Sequence, residues 1–435
     1  MPERRIVVAT ITRPPSQPRH NPSSQGRAQM DRATVDSLIT SMLESGEGVS
    51  DLLFLAGKPP LVEIHGQLRS FAIDTPNSLL TSELIDEIAE QVTENNERLL
   101  EQFAAKGSCD CSYAIEDVAR FRVNVFKQNG RKAVVMRKLQ SNVPTFDTIG
   151  LPPIFREIVK EKNGIILVTG ASGSGKTTTL AAMINELNQT TNIHILTLED
   201  PIEFMHSHAR AAVTHRELGK DFPNFAEGLR SALRQAPKVI LVGEIRDRAT
   251  MEIAMIAAET GHLVFSTLHT INAGQSINRV LGFFSRDEEV QMRDRFAETL
   301  RYIVSQRLVH SITDERLLIT EVMGSNLRTR ETIRYGESET KSFQEIIEAQ
   351  AMLGWHTFDQ SLLKAREADL ITDETAMIYC TNKSAMHREL DLLAKRRGKG
   401  RKETVSGLKL DRPQPVIAKP APELPVSAPA KSASE

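Results

Sequence analysis

Between about residue 50 and residue 140 the chain carries short apolar runs of strand length and strand composition, at 52–55, 61–64, 121–126 and 133–136. One helical pattern interrupts them. Leu84, Ile85, Ile88, Val92, Leu99 and Phe103 recur at three- and four-residue steps behind Thr81 and Ser82, which supply an N-terminal cap. Residues 31–150 are therefore expected to form an α+β domain, and the Gly-Leu-Pro-Pro of 150–153 breaks the pattern as a linker. Beyond it the apolar runs become continuous, at 165–168, 193–198, 239–242 and 263–268. Continuous apolarity suits a parallel strand covered on both faces. With helical segments between the runs, residues 151–310 predict an α/β domain with a largely parallel sheet, followed by a mainly helical extension over 311–394.

The two ends follow neither period. Residues 1–30 mix arginines with prolines and serines and cannot bury enough apolar surface to order themselves, so they are read as a disordered leader, with Met30 as an alternative start. A transit peptide would share the arginines, but the prolines oppose its amphipathic helix. From Lys395 a basic run opens a Pro/Ala/Ser tail, read as disordered over 395–435. The 435 residues are 40% apolar and 25% charged, as folded chains are, and 54 basic side chains against 56 acidic ones give no overall basic field to draw in nucleic acid or anionic lipid. Three cysteines, two of them in Cys109-x-Cys111, make neither a disulfide framework nor a four-ligand zinc site. No run of about 18 apolar residues and no signal-peptide core occur, so a soluble, cytoplasmic protein without integral membrane insertion is expected.

The chemistry concentrates after the first continuous run. Gly170-Ala-Ser-Gly-Ser-Gly-Lys176-Thr177 fits the phosphate-binding pattern G-x-x-x-x-G-K-[ST], and it stands between a strand and a helix, where the pattern has meaning. Such a loop wraps backbone N–H groups around phosphate oxygens and adds the partial positive charge of the helix N-terminus. Ser172, Gly173, Ser174, Gly175, Lys176, Thr177 and Thr178 are the candidate nucleotide ligands, with Lys176 on the β/γ phosphates and the Thr177 hydroxyl on magnesium. ATP and Mg2+ are the implied cofactors.

Carboxylates follow at the ends of two neighbouring runs. Glu244, just past 239–242, is the candidate for orienting the attacking water; its plain alternative is a solvated glutamate opposite Arg246. Glu199, Asp200 and Glu203 end the adjoining run, and their crowding calls for a cation or a shared proton, against the alternative of an ordinary acidic turn. Magnesium is thus assigned to Thr177, Glu203 and Glu244, directly or through water. His262 and His269 stand seven residues apart and would face opposite sides of one strand, so they do not make a zinc pair, while His269 lies where a phosphate would sit.

At these residues the chain resembles the secretion-type P-loop ATPases, and within them the PilT/PilU family of type IV pilus retraction (twitching motility) ATPases. The resemblance runs from about Ser50 to about Asn382. It rests on Ala119-Arg-Phe-Arg-Val-Asn124, the phosphate loop, Leu198-Glu-Asp-Pro-Ile-Glu-Phe204, Leu241-Val-Gly-Glu-Ile-Arg-Asp247 and the histidine segment 257–270, in that order. It implies a PAS-like N-terminal domain and a RecA-like ATPase core, assembled as a homo-hexamer. It also implies that Glu244 is the general base, that Glu203 lies near metal and water, and that Arg122 and Arg137, with Arg120 as a lesser candidate, reach phosphate from the N-terminal domain. An inner-membrane platform protein of the pilus and a paralogous retraction ATPase are the implied partners, at the cytoplasmic side of the pilus base.

Some segments depart from the family pattern. Gln235-Ala-Pro-Lys238 lacks the aspartates usual before the Walker B strand, and Asn326-Leu-Arg-Thr-Arg-Glu-Thr-Ile-Arg334 replaces the usual retraction signature. Gly354-Trp-His-Thr-Phe-Asp-Gln360 looks more like the PilU branch, the accessory retraction ATPase. The tetracysteine segment of pilus-assembly ATPases does not occur. A related secretion or pilus-assembly ATPase and a RecA-like nucleic-acid-binding ATPase stand as alternatives, the latter opposed by a near-neutral core with 5% aromatic residues.

Overall fold

Two sheets, one antiparallel and one mostly parallel, organise the chain. The structure is a computed structural model that describes residues 30–139, 142–338 and 341–397. Residues 1–29 of the expected leader and all of the tail beyond residue 397 lie outside the described residues, while Met30, the last residue of that leader, packs on the N-terminal core and donates its N–H to Glu87 at 3.1 Å.

The first sheet is built from β1 (Val49–Phe54), β2 (Leu61–Ile64), β3 (Gln67–Ser70), β4 (Ser108–Ile115), β5 (Ala119–Gln128) and β6 (Arg131–Lys138), in the order β3-β2-β1-β6-β5-β4. Every described pairing in it is antiparallel. Its strands alternate: Ala119, Phe121, Val123 and Val125 of β5 are buried, and the residues between them face the other way. The buried face is covered by helices at Ser82–Thr93 and Glu97–Lys106, with the helix Arg32–Leu43 completing the cluster. The single helical pattern read from the sequence is thus two helices. Glu94 and Asn95 adopt positive φ and end the first, and the Asn96 side chain accepts the N–H groups of Arg98 and Leu99 to cap the second.

The second sheet holds β7 (Gly164–Thr169), β8 (His194–Glu199), β9 (Ala212–Glu217), β10 (Val239–Val242), β11 (Leu263–Leu268), β12 (Leu300–His310) and β13 (Arg316–Gly324), in the order β13-β12-β7-β11-β10-β8-β9. All pairings are parallel except β12 with β13. Successive residues feed opposite cores: Ile165 and Leu167 of β7 join one cluster, Ile166 and Val168 the other. This explains the continuous apolar runs, because helices cover both faces. Lys176–Thr190 packs on one side, and Arg248–Glu259, Ala273–Leu281 and Arg286–Thr299 lie on the other.

Two expectations shift here. The stretch beyond 310 is helical in the main, at Leu327–Tyr335, Phe343–Glu348, Phe358–Glu367, Asp373–Tyr379 and Lys383–Arg396, yet it opens with the edge strand β13. The last helix also runs through Lys395 and Arg396, and Arg397 pairs with Asp369 at 2.7 Å, so the basic run begins inside folded structure. Among the described residues, no helix is long and apolar enough to cross a membrane.

The end of β13 is tied to the extension by a close approach. Trp355, the chain's single tryptophan, is buried against Gly324, where an added Cβ would stand 2.3 Å from the indole. Overpacking of this kind costs about 1–3 kcal/mol. Gly324→Ala should therefore lower the thermal midpoint and red-shift the tryptophan emission; an unchanged midpoint and spectrum would show that the extension is not held at this point.

Candidate active site

Strand β7 delivers the phosphate loop to the C-terminal edge of the parallel sheet. Gly170 leaves the strand with φ +148, and a Cβ there would lie 2.6 Å from the Gln306 carbonyl, so only glycine fits. The Lys176–Thr190 helix starts directly afterwards. Lys176 is buried, and its Nζ donates to Gly170 O at 2.9 Å and Ala171 O at 3.0 Å. Burial pulls the ammonium below its usual range, against the opposing pull of Glu244 and Glu203. The Ser174 hydroxyl of the same loop is buried with no hydrogen-bond partner.

Facing the loop is a cavity of about 340 Å³. Strand β8 contributes Glu199 at its end and Asp200 and Glu203 beyond it, while the segment just past β10 contributes Glu244. The segment carrying Glu244 is fixed on both sides: Gly243 N donates to Leu198 O at 2.8 Å, and Thr267 Oγ1 donates to Gly243 O at 2.7 Å. Arg246 touches one carboxylate oxygen of Glu244, and His269 Nε2 lies 3.5 Å from the other. The contact weighed as the plain alternative is therefore made, and it lies inside the cavity. Burial pushes both Asp200 and Glu203 above the usual carboxylate range, with the Thr177 hydroxyl partly opposing this at Glu203. Thr177, Glu203 and Glu244 offer only oxygen donors, a set that fits a hard divalent cation.

The N-terminal sheet supplies the opposite wall. Arg122 of β5 lines the cavity beside Ser172, Gly173, Lys176, Thr177 and His269. Arg137 and Arg120 are not brought there. Arg137 Nε donates to Asp51 at 2.9 Å, and Arg120 lies 3.5 Å from Glu217. Ser174 lines a separate cavity on the other side of the loop, together with Gln306 and Arg307.

A histidine pair behind the acidic segment escaped the sequence reading. His206 lines the cavity and stacks on His215, with ring centroids 5.6 Å apart. The His206 backbone N–H donates to His215 Nε2 at 3.1 Å, so the neutral His215 carries its proton on Nδ1, toward Thr197 Oγ1 and Glu199. The two residues are nine apart, His206 in the segment between β8 and β9 and His215 on β9, and their contact leaves no signal in either local pattern. Arg246 did leave one, being two residues from Glu244.

The chain matches the family described as Type II/IV secretion system protein over residues 82–368, which makes it a secretion-type P-loop ATPase. It is 38% identical to the type IV pilus retraction ATPase PilT of Pseudomonas aeruginosa over 340 residues, covering 78% of this chain and 96% of that one. It is 35% identical to the type IV pilus ATPase PilU of the same organism, covering 79% and 88%. A crystal structure of the pilus retraction motor PilT with bound ADP superposes with a TM-score of 0.72 at 39% identity, over 81% of this chain and 98% of that one. The chain belongs to the PilT/PilU family of type IV pilus retraction ATPases, which decides between the alternatives left open by the sequence. The fold is the α/β ATPase core with an N-terminal sheet domain and a largely helical C-terminal region.

The histidine stack makes the folded state sensitive to acid. Burial and the neighbouring His215 push His206 down from 6.5 to about 4. The unfolded chain binds this proton more readily, so the stabilisation is intact above pH 6.5 and is lost as the pH falls toward about 4. His206→Phe keeps a ring against His215 and should flatten the dependence of thermal midpoint on pH over that window; parallel curves for the two proteins would remove the assignment.

Proposed function

We propose that this chain is the subunit of a homo-hexameric motor that hydrolyses ATP with magnesium to drive pilus retraction. What supports the reading most is one observation: Lys176, Thr177, Glu203, Glu244 and Arg122 line the same cavity. The relative solved with ADP is a retraction motor.

In this reading the backbone N–H groups from Ser172 to Thr178 hold the phosphates, and Lys176 gives up its two carbonyl partners to neutralise the β/γ oxygens. Thr177 would hold magnesium, with Glu203 and Glu244 bound to it directly or through water, and the ion would neutralise phosphate charge. Glu244 orients the attacking water and takes its proton, its carboxylate fixed by Arg246 and His269. Arg122 places a guanidinium on the transferred phosphoryl group from the other domain, so hydrolysis depends on domain closure. Arg137 stands directly beside Arg122 across β5 and β6 and takes part only after leaving Asp51.

The proposed setting is the cytoplasmic side of the inner membrane at the pilus base. Attachment runs through a platform protein and a paralogous retraction ATPase. The segment from Gly354 to Gln360 favours the accessory, PilU-like branch, while identities of 38% and 35% to the two relatives do not separate the branches.

Lys176→Ala should abolish ATP turnover, and Glu244→Gln should lower it by about 10²- to 10⁴-fold while still binding ATP. A steady-state phosphate-release assay reads both, with and without EDTA. Undiminished turnover in either variant, or in EDTA, contradicts the assignment.

Arginines that contact the transferred phosphoryl group are worth about 10³ to 10⁵ in rate, so Arg122→Ala should lower kcat steeply and leave ADP binding intact. Arg137→Ala should have the smaller effect, since its side chain is held by Asp51. Equal effects would show that both arginines reach phosphate in the closed state.

A further inference from the structure

The mechanism leaves Glu217 unused, although it is buried and sits where the two domains meet. It ends β9 beside Glu199, which ends β8, and the two are register partners. Both of its carboxylate oxygens are engaged. Oε1 accepts the Ser112 hydroxyl at 2.5 Å and lies 3.5 Å from Lys220 Nζ. Oε2 accepts the Ile202 backbone N–H at 3.3 Å and lies 3.5 Å from Arg120 Nη2. Lys220 closes the network by donating to Ser112 Oγ at 2.9 Å and Ser112 O at 3.2 Å. Ser112 and Arg120 belong to the N-terminal sheet, while Ile202 and Lys220 belong to the ATPase core.

The register of the N-terminal sheet gives this contact its meaning. Ser112 of β4 is the direct cross-strand partner of Arg122 on β5, and Arg120 precedes Arg122 by two residues. Directly opposed residues, and residues two apart on one strand, share a face. Glu217 therefore grips two same-face neighbours of the arginine that lines the nucleotide cavity, its β4 partner Ser112 and Arg120 two residues before it. On its other side it fixes the N–H of Ile202, the residue before Glu203. One carboxylate thus joins the wall that carries Arg122 to the wall that carries Glu203. The turn after β9 is shaped for this contact. Gly219 has φ +84, and a Cβ there would stand 1.7 Å from the Arg98 guanidinium of the N-terminal domain. Asp221 Oδ2 accepts the Glu217 N–H at 2.7 Å, which braces the same turn.

We propose that Glu217 is a positioning residue for ATP hydrolysis: it sets the register of the two domains so that Arg122 meets the phosphate opposite Glu203. The inference rests on the reading of Arg122 given above. Glu217 touches no reacting atom, and its influence passes through Ser112 and Arg120.

The test uses the full-length protein, with kcat, KM and the affinity for a fluorescent ADP measured for Glu217→Ala, Ser112→Ala, Arg122→Ala and the pair Glu217→Ala/Arg122→Ala. Misplacement of a catalytic group by an ångström costs about a hundredfold, so kcat should fall about ten- to a hundredfold in Glu217→Ala, and less in Ser112→Ala, with ADP affinity unchanged. In the Arg122→Ala background, Glu217→Ala should cause no further fall. Ser112→Ala removes a single hydroxyl and carries the test if Glu217→Ala does not fold. A fall in kcat matched by lost ADP affinity, or a full additive fall in the pair, would make the role structural and overturn the proposal. If Arg122→Ala is slow while Glu217→Ala and Ser112→Ala are not, the positioning role alone fails. If Arg122→Ala turns over at the unsubstituted rate, the reading of Arg122 falls first and this inference with it.

Discussion

A buried ammonium is the constraint around which the site is arranged. Lys176 carries its charge into a cavity where, among the described ion pairs, no carboxylate lies within bridging distance, and two loop carbonyls are its hydrogen-bond partners. Burying a cation so incompletely paired is costly, and in the proposed reading an arriving phosphate offsets that cost. The loop's backbone exists to present this charge: Gly170 turns sharply off β7, the helix starts at Lys176, and the Ser174 hydroxyl is left buried without a partner. The acidic groups nearby are kept from collapsing onto the lysine by partners of their own. Arg246 holds Glu244, and Thr177 bonds to Glu203.

The second requirement is that this half-site meets its other half. The parallel sheet alone offers phosphate ligands and carboxylates along one edge, as α/β folds do. Of the arginines that line the cavity among the described residues, Arg246 belongs to this core and Arg122 to the other sheet. In the proposed reading the arginine that meets phosphate from the far side comes from the antiparallel sheet, where Ser112, Arg122, Arg137 and Asp51 form one row across β4, β5, β6 and β1. The two ends of the row are occupied differently. Ser112 is bound into the ATPase core through Glu217, while Arg137 is turned away by Asp51. In the proposed reading, chemistry at the loop is thereby linked to how the two sheets sit on each other, which is the link a motor needs between hydrolysis and movement.

The parts of this arrangement that were legible in the sequence are the local ones. The phosphate loop is contiguous, and its flanking strand and helix have patterns that declare themselves. Glu244 and Glu203 follow apolar runs at short distance. The N-terminal wall was legible only as a family resemblance, because its geometry is set by register. Asp51 and Arg137 are 86 residues apart in sequence and adjacent in space. Strand β4 carries Ser-Cys-Asp-Cys-Ser-Tyr-Ala-Ile, with few of the branched residues that mark strands, and β9 is a polar edge strand. Missing both strands hid Ser112, His215 and Glu217 together. The one helix expected over 84–103 became two because Glu94 and Asn95 adopt a left-handed backbone, which side-chain periodicity does not report.

The arrangement proposed for phosphate, held between the loop and an arginine of the other domain, underlies every role assigned to these residues. It is tested most directly by a crystal structure of the full chain with magnesium and a non-hydrolysable ATP analogue. The expected complex has the β/γ phosphates on Lys176, the metal on Thr177, and the Arg122 guanidinium within hydrogen-bonding distance of the γ-phosphate, with Glu244 facing the site of the attacking water. Phosphates bound with Arg122 turned away, or a nucleotide seated elsewhere, would contradict it.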